Sequence, residues 1–161
     1  MSSQLATFTL AGARYGIDLL RVQEVLRPKA RTFVPLAEPS VAGFINLRGQ
    51  VVLAIDLRIR LGIEPQAADL EPMMVVVQAG GETISLIVDA VGDVIDVTGC
   101  RLEVPPDTLP ISLAEATLGV YQLEDAPLLV LDIDRVTAPG RLPIRHPTTD
   151  KGEPRELLPD I

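Results

Sequence analysis

Short runs of apolar residues separated by turn residues dominate the chain, and this pattern predicts strands rather than long helices. Residues 5–10 alternate apolar and polar side chains, as a half-buried strand does, and a glycine turn separates them from a second run at residues 15–19. Further runs lie at residues 73–78, 83–90, 91–97, 118–123 and 128–131. With those in the middle of the chain they give about ten strands, which predicts an all-β fold. Strands this short close best into small barrels, which leave no exposed edges.

The stretch at residues 40–62 combines the strongest local signals. Two apolar strands flank a turn at Arg48-Gly49-Gln50, and Asp56 then stands at the N-cap position of a short helix that Gly62 ends. Arg48 is the least expected residue, because a guanidinium between two buried strands is always charged and carries five donors. It is either a solvated turn residue or an exposed anchor for a partner, since arginine is enriched at binding hot spots.

Two further segments have the composition of connections. Residues 63–72 are polar and bounded by prolines, and they predict the junction between two small barrels within a folded region at residues 1–136. Residues 137–161 carry five prolines among charged residues without periodicity, which predicts a disordered C-terminal tail. Residues 20–26 fit either a helical turn or a bulged strand, and Glu24 within them reads as a solvent-facing side chain.

Charge is unevenly distributed along the chain. The formal net charge is −8, which disfavours nucleic acid as the main partner. Residues 1–60 carry 8 Lys and Arg against 4 Asp and Glu, whereas residues 61–161 carry 6 against 18. The central hairpin therefore lies in the basic half of an acidic protein. This reflects either ordinary surface variation or a site for an acidic partner.

Neither the N-terminus nor any apolar run carries a targeting or membrane signal. The first ten residues lack the basic and apolar regions of a signal peptide, and no apolar run approaches the ~20 residues of a membrane helix. We therefore expect a cytoplasmic protein without direct membrane insertion. The single cysteine, Cys100, cannot form an internal disulfide.

Residues that could carry out catalysis are few. The chain contains no G-x-S-x-G, no phosphate-binding glycine loop and no H-E-x-x-H. Asp89, Asp93 and Asp96 follow one strand region and suggest a metal site in a small β-barrel enzyme, but their spacing is not that of a calcium loop. A solvated strand face explains them better. We predict a binding module with no catalytic residues, no metal and no cofactor, and keep the metal-dependent enzyme as the alternative.

Four groups of short motifs follow one another along the folded region. They are YGID with VQEV at residues 15–18 and 22–25, GFINLRGQVV with IDLR at residues 43–52 and 55–58, IVDAV at residues 87–91, and LDID at residues 131–134. In this order they resemble the CheW family of chemotaxis coupling proteins. The resemblance runs from about residue 5 to residue 136, whereas the tail has no counterpart in the family.

The resemblance implies two SH3-like five-stranded β-barrels, with short helical turns, packed around a shared apolar seam. It implies a non-enzymatic scaffold with two partners, the cytoplasmic tip of chemoreceptors and the regulatory domain of the histidine kinase CheA. It also implies recruitment to membrane-associated receptor arrays. A CheW-like module of a non-flagellar pathway, such as surface motility, is the alternative within the same family.

The resemblance also assigns roles to individual residues. Arg48, Gly43 and Glu24 match family positions that are tied to receptor binding. Three others match structural positions, in the hairpin turn and at the helix cap: Asn46, Gly49 and Asp56. Kinase-binding residues are not carried by a sharp motif, so none is assigned.

Overall fold

The computed structural model describes residues 2–64 and 71–138, and most of this part of the chain forms short strands. The strands are β1 (Gln4–Leu10), β2 (Ala13–Asp18), β3 (Val22–Leu26), β4 (Val41–Leu47), β5 (Gln50–Asp56), β6 (Met73–Ala79), β7 (Glu82–Val88), β8 (Ala90–Asp96), β9 (Leu102–Glu103), β10 (Thr117–Gln122) and β11 (Pro127–Leu131). The helices are α1 (Leu57–Arg60), α2 (Ile111–Ala116) and α3 (Ile133–Thr137), and a 3₁₀ turn at Leu19–Arg21 precedes β3. Within these residues no helix has the length and apolar character needed to cross a membrane.

The strands form two sheets whose order differs from the order of the chain. One sheet has six strands in the order β8-β1-β2-β11-β10-β9, and the other has five in the order β3-β6-β7-β5-β4. Most neighbours are antiparallel, but β2 pairs with β11, and β5 with β7, in parallel. The two sheets confirm the predicted all-β class. The two-residue strand β9, which pairs with β10, makes one sheet six-stranded where five strands were expected.

The chain crosses between the sheets twice. It leaves the six-stranded sheet at the 3₁₀ turn between β2 and β3, and it returns at Asp89 between β7 and β8. Residues 63–72 instead connect α1 to β6, and the strands on both sides of them belong to the five-stranded sheet. The junction predicted near residues 63–72 therefore coincides with neither crossing. Residues 65–70, and the predicted tail from residue 139 onward, lie outside the described residues.

Each sheet encloses an apolar cluster of its own. The five-stranded sheet surrounds Ile45, Leu47, Val52, Ala54, Met74, Val76 and Ile87. Leu26 of β3 and Ala42 of β4 both pack against this cluster, so the two outer strands curve over a common core, as in a small barrel. The six-stranded sheet surrounds Leu5, Val97, Tyr121, Leu128 and Val130.

A third cluster forms the seam between the sheets. It combines side chains from both sheets and from all three helices, among them Phe8, Leu10, Ile17, Val75, Val77, Leu57, Leu113, Ile133 and Val136. The rings of Phe8 and Tyr15 stack with centroids 5.9 Å apart, and the rest of the seam is mainly aliphatic. Because burial of apolar surface is the main favourable term in folding, this seam holds the two sheets in one arrangement.

Candidate functional site

The β4–β5 hairpin presents Arg48 at its tip. Arg48 and Gly49 form a two-residue loop between the paired residues Leu47 and Gln50, and their φ angles are 51° and 86°. Positive φ at both central residues is the signature of a type I′ turn, whose twist matches that of the flanking strands. The side-chain oxygen of Asn46 accepts a hydrogen bond from the Gly49 amide at 2.9 Å. Asn46 and Gly49 therefore shape the turn that carries Arg48.

Arg48 forms an ion pair with Glu24 of β3. The Arg48 Nη1 donates to Glu24 Oε1 at 3.2 Å, and Nη2 donates to Oε2 in a second, shorter contact. A bidentate pair fixes the orientation of the guanidinium as well as its charge. Since β3 and β4 are the outer strands of the five-stranded sheet, the pair bridges the two edges of that sheet. The structure thus brings together two of the three residues that the resemblance ties to receptor binding.

The Glu24–Arg48 pair stays accessible to solvent. The Arg48 side chain is 65% exposed, and that of Glu24 is 25% exposed. The hydrogen bond from Arg48 holds the pKa of the Glu24 carboxyl below its ordinary value, and the same bond raises the pKa of Arg48. Both groups are therefore charged near neutral pH. Exposed pairs of this kind contribute little to stability, so the exposed part of the guanidinium is available to meet an acidic group of a partner.

Gly43, the third residue that the resemblance ties to receptor binding, is buried, and its role lies in the backbone conformation. It has a φ of 133° and lies where the pairing of β4 with β5 shifts by one residue. A Cβ at this position would lie 2.5 Å from the carbonyl oxygen of Thr32. Thr32 in turn exchanges two backbone hydrogen bonds with Phe44, of 2.8 and 2.9 Å. Gly43 therefore lets the loop before β4 lie directly against the hairpin.

A groove of about 440 Å³ opens beside the hairpin. Its lining residues come from β4 and β5 and from the β6–β7 hairpin: Phe44, Gln50, Val51, Leu53, Gly81, Glu82, Thr83 and Ile84. Phe44 and Val51 are exposed although both are large and apolar. Exposed apolar side chains on the same hairpin as a charged tip are a feature of interaction surfaces.

Asp56 caps α1, and two arginine side chains of this helix point into the protein interior. The Asp56 side chain accepts a hydrogen bond from the Ile59 amide at 3.3 Å. Arg58 and Arg60 are both buried, and neither is among the site residues predicted from the sequence. The only local signal was that both arginines alternate with Leu and Ile directly after a buried strand.

Arg58 pairs with Asp89 where the chain returns to the six-stranded sheet. The Arg58 Nε donates to Asp89 Oδ1 at 2.8 Å, and the Ala11 amide donates to Asp89 Oδ2 at 2.7 Å. Both side chains are largely buried, with 9% and 12% exposed. The hydrogen bond from Arg58 is the main reason that the pKa of Asp89 lies below its ordinary value. The pair therefore fixes one of the two crossings between the sheets.

The three aspartates of the metal-dependent alternative do not converge on one point. Asp89 is engaged by Arg58, whereas Asp96 accepts hydrogen bonds from the amide and hydroxyl of Thr98 at 2.9 and 2.6 Å. Within residues 2–64 and 71–138, no group of three or more His, Cys, Asp or Glu side chains is arranged to hold a metal ion. The donor set that this alternative requires is therefore not assembled by Asp89, Asp93 and Asp96.

Arg60 joins the loop before β4 to the end of α3. Its guanidinium pairs with Glu38 at 2.9 Å and donates to the Ser40 hydroxyl and the Val136 carbonyl, each at 2.8 Å. Burial lowers the pKa of Arg60, and Glu38 acts in the opposite direction. The network holds the base of the loop that leads into the hairpin.

These features define a small β-sheet binding module with a charged hairpin tip and an adjoining groove that both polar and apolar side chains line. The chain belongs to the CheW-like family, since the CheW-like domain matches residues 4–139. It is 28% identical to the chemotaxis protein CheW of Klebsiella aerogenes over 136 residues, which cover 84% of this chain and 82% of the relative. It is 30% identical to the chemotaxis protein CheW of Treponema pallidum over 139 residues, which cover 83% and 81%.

A solved structure supports the same assignment. The crystal structure of the scaffolding protein TtCheW from Thermoanaerobacter tengcongensis matches this fold with a TM-score of 0.75 and 27% sequence identity. The match covers 88% of this chain and 96% of that one. The resemblance that the sequence motifs indicated is therefore confirmed over the folded region.

Proposed function

We propose that this protein is a chemotaxis coupling scaffold that binds chemoreceptors and the histidine kinase CheA. The match of residues 4–139 to the CheW-like domain carries this proposal. The relatives are named chemotaxis proteins, and the solved relative is named a scaffolding protein. The family is a scaffold family rather than an enzyme family, so this protein acts through binding and turns over no nucleotide.

The receptor tip binds at the hairpin, with Arg48 as its charged anchor. The supporting observation is the exposed Glu24–Arg48 pair, which holds the guanidinium in one orientation at the tip of a rigid turn. Phe44 and Val51 supply exposed apolar surface on the two strands of the same hairpin. An oriented arginine beside apolar side chains is the usual composition of a binding hot spot. Gly43 contributes indirectly, because it keeps the preceding loop against the hairpin.

Coupling follows from holding two partners in a fixed relative position. A receptor shift changes the contacts of the scaffold, and a difference in contact free energy between two kinase states is enough to bias their populations. The regulatory domain of CheA is the second partner, and no residue is assigned to its contact. The protein acts in the cytoplasm and reaches membrane-associated arrays through these protein contacts.

Titration calorimetry against two fragments tests the proposal. The wild-type chain is titrated with the regulatory domain of the CheA encoded in the same genome and with a chemoreceptor cytoplasmic fragment. Arg48→Glu is expected to weaken receptor binding by at least about tenfold, as for a hot-spot residue, and to leave kinase binding unchanged. Arg101→Glu, a charge reversal at another exposed arginine, is the matched control. Failure of the wild-type chain to bind either fragment would overturn the coupling role.

A further inference from the structure

The loop that connects β3 to β4, residues 27–39, is the most basic exposed segment of the folded region, and we call it the basic loop. Arg27, Lys29 and Arg31 are all exposed, and within the described residues none of them forms an ion pair. The single acidic residue of the loop, Glu38, is engaged by Arg60. The loop is therefore locally basic, although the net charge of the protein is −8. The field of its three cations favours an acidic partner.

The basic loop also exposes two large apolar side chains. Phe33 is 75% exposed, and Leu36 is fully exposed. Neither side chain contributes to the three buried clusters, so the fold itself gives no reason for their presence. Apolar anchors surrounded by charge are a feature of docking surfaces rather than of loops that only connect two strands.

The backbone at Leu36 strengthens this inference. Residues 34–37 form a turn in which the Ala37 amide donates to the Val34 carbonyl at 3.4 Å, Pro35 occupies the second position, and Leu36 has a φ of 64°. Positive φ at the third position of such a turn is normally supplied by Gly or Asn. A bulky residue there is strained, and strain of this kind clusters at functional sites. The sequence therefore keeps a leucine where the fold alone would favour glycine.

The basic loop is continuous with the hairpin. Thr32 pairs with Phe44 through two backbone hydrogen bonds, and Gly43 packs against the Thr32 carbonyl. The positive charge of Lys29 acts on the Glu24 carboxyl, whose pKa it helps to lower. Lys29 therefore lies within electrostatic reach of the Glu24–Arg48 pair.

We propose that the basic loop is a second contact for the partner that binds at Arg48, and that it receives an acidic segment carrying apolar side chains. Leu36 and Phe33 provide the apolar anchors, and Arg27, Lys29 and Arg31 meet the carboxylates. This inference rests on the proposed function, because it assigns the loop to the receptor and not to the kinase. It predicts that receptor binding weakens with added salt, since three exposed cations take part.

Leu36→Gly is the sharpest test, because it should weaken binding without lowering the stability of the fold. Glycine relieves the left-handed backbone, so the melting temperature stays the same or rises. The apolar anchor is lost, so affinity for the receptor cytoplasmic fragment falls about tenfold, which corresponds to about 1.4 kcal/mol. Val104→Gly, a truncation at another highly exposed aliphatic residue, is the matched control and leaves affinity unchanged.

The double variant Lys29→Glu/Arg31→Glu tests the charge. It is expected to weaken receptor binding at least about tenfold at low salt and to flatten the salt dependence, whereas Arg101→Glu changes neither. If Arg48→Glu loses binding and all loop variants retain it, the inference is overturned while the proposed function stands. If the wild-type chain does not bind the receptor fragment, the proposed function fails and this inference fails with it. Salt-sensitive self-association that Leu36→Gly abolishes, measured by sedimentation, would assign the loop to a second copy of this chain and overturn the inference.

Discussion

Three arginines between residues 48 and 60 form ion pairs, and these pairs are of two kinds that differ in how exposed the arginine side chain is. In the Arg58–Asp89 and Arg60–Glu38 pairs the guanidinium is buried, with 9% and 3% of the side chain exposed, and each pair joins segments that are distant in sequence. The Glu24–Arg48 pair has equally close contacts, but most of the Arg48 side chain is exposed. All three pairs are thus in close contact, and they differ in how much of the arginine side chain is exposed to solvent.

The difference separates structural charge from charge used for binding. A buried pair cannot lose one member without leaving the other desolvated and unpaired. An exposed pair is solvated whether or not it is formed, so its loss changes stability little. Arg48 can therefore change partner without disturbing the fold, whereas Arg58 and Arg60 cannot. Substitution of Arg58 or Arg60 should therefore lower stability, whereas substitution of Arg48 should lower partner affinity and leave stability almost unchanged.

Arg60→Met is expected to have the largest effect on stability. It removes the cation paired with Glu38 and the donor to the Ser40 hydroxyl and the Val136 carbonyl, which should lower the free energy of unfolding by about 4 kcal/mol. Urea denaturation of the purified variant measures this. Arg101→Met, at an exposed position, serves as the control and should stay within about 0.5 kcal/mol of wild type. A loss below about 1 kcal/mol for Arg60→Met would show that the loop before β4 relaxes and solvates Glu38.

Asp89→Asn should destabilise the protein by about 3 kcal/mol, because Arg58 keeps its charge and loses its partner. The pair-replacing variant Arg58→Met/Asp89→Leu should lose less, since no buried charge remains unpaired. Both values come from urea denaturation at pH 7. Equal losses in the two variants would mean that the site is well enough hydrated to tolerate a lone cation.

The Asp89 pair also predicts a pH dependence. Because the pKa of Asp89 is lower in the folded protein than its ordinary value of 3.8, its contribution is complete above that value. The contribution is lost as the pH falls through the lower, folded-state pKa. The stability difference between wild type and Asp89→Asn should thus stay constant from about pH 7 to pH 5 and shrink below about pH 4. A difference that already shrinks at pH 6 would contradict the assignment.

Gly43→Ala should reduce both stability and receptor binding. The added Cβ meets the Thr32 carbonyl oxygen, and the φ of 133° is unfavourable for alanine, so we expect a loss of about 2 kcal/mol. Displacing the basic loop from the hairpin should weaken receptor affinity as well. Thermal denaturation and calorimetry on the same sample test the two effects together. Reduced affinity at unchanged stability would instead mean that the receptor contacts Gly43 directly.

The parts of the site that could be predicted from sequence are those whose structure depends on contacts between residues only a few positions apart. Asn46 and Gly49 specify the turn that carries Arg48, and Asp56 reaches an amide only three residues ahead. The strand at β3 shows where local information ends. Residues 20–26 fitted two structures equally well, and the choice of a bulged strand depends on pairing with β6 about 50 residues later.

Long-range partners explain what the sequence could not show. Arg58 and Arg60 are charged residues of a short helix by any local criterion, and their burial depends on Asp89 and Glu38, 31 and 22 residues away. The helix α2 was not predicted either. Its N-cap is Pro110, whose side chain forms no capping hydrogen bond, and burial of Leu113 and Ala116 holds it in place. A helix without a capping side chain, such as α2, is stabilised by burial of its apolar side chains in the seam between the sheets.

The charge swap Glu24→Arg/Arg48→Glu should have the smallest effect on folding. It keeps the ion pair but removes the positive charge at position 48, so it tests these two contributions to binding separately. It restores an ion pair between β3 and the hairpin tip with the charges exchanged, so the melting temperature should stay within about 2 °C of wild type. Receptor affinity should remain as low as in Arg48→Glu, because the exposed end of the pair now carries a negative charge. Melting curves and titration with the receptor fragment measure both quantities. Recovery of receptor binding in the swapped variant would mean that the receptor needs only an ion pair between β3 and the hairpin tip, whichever residue carries the positive charge. The Glu24–Arg48 pair would then have a structural role, like the two buried pairs.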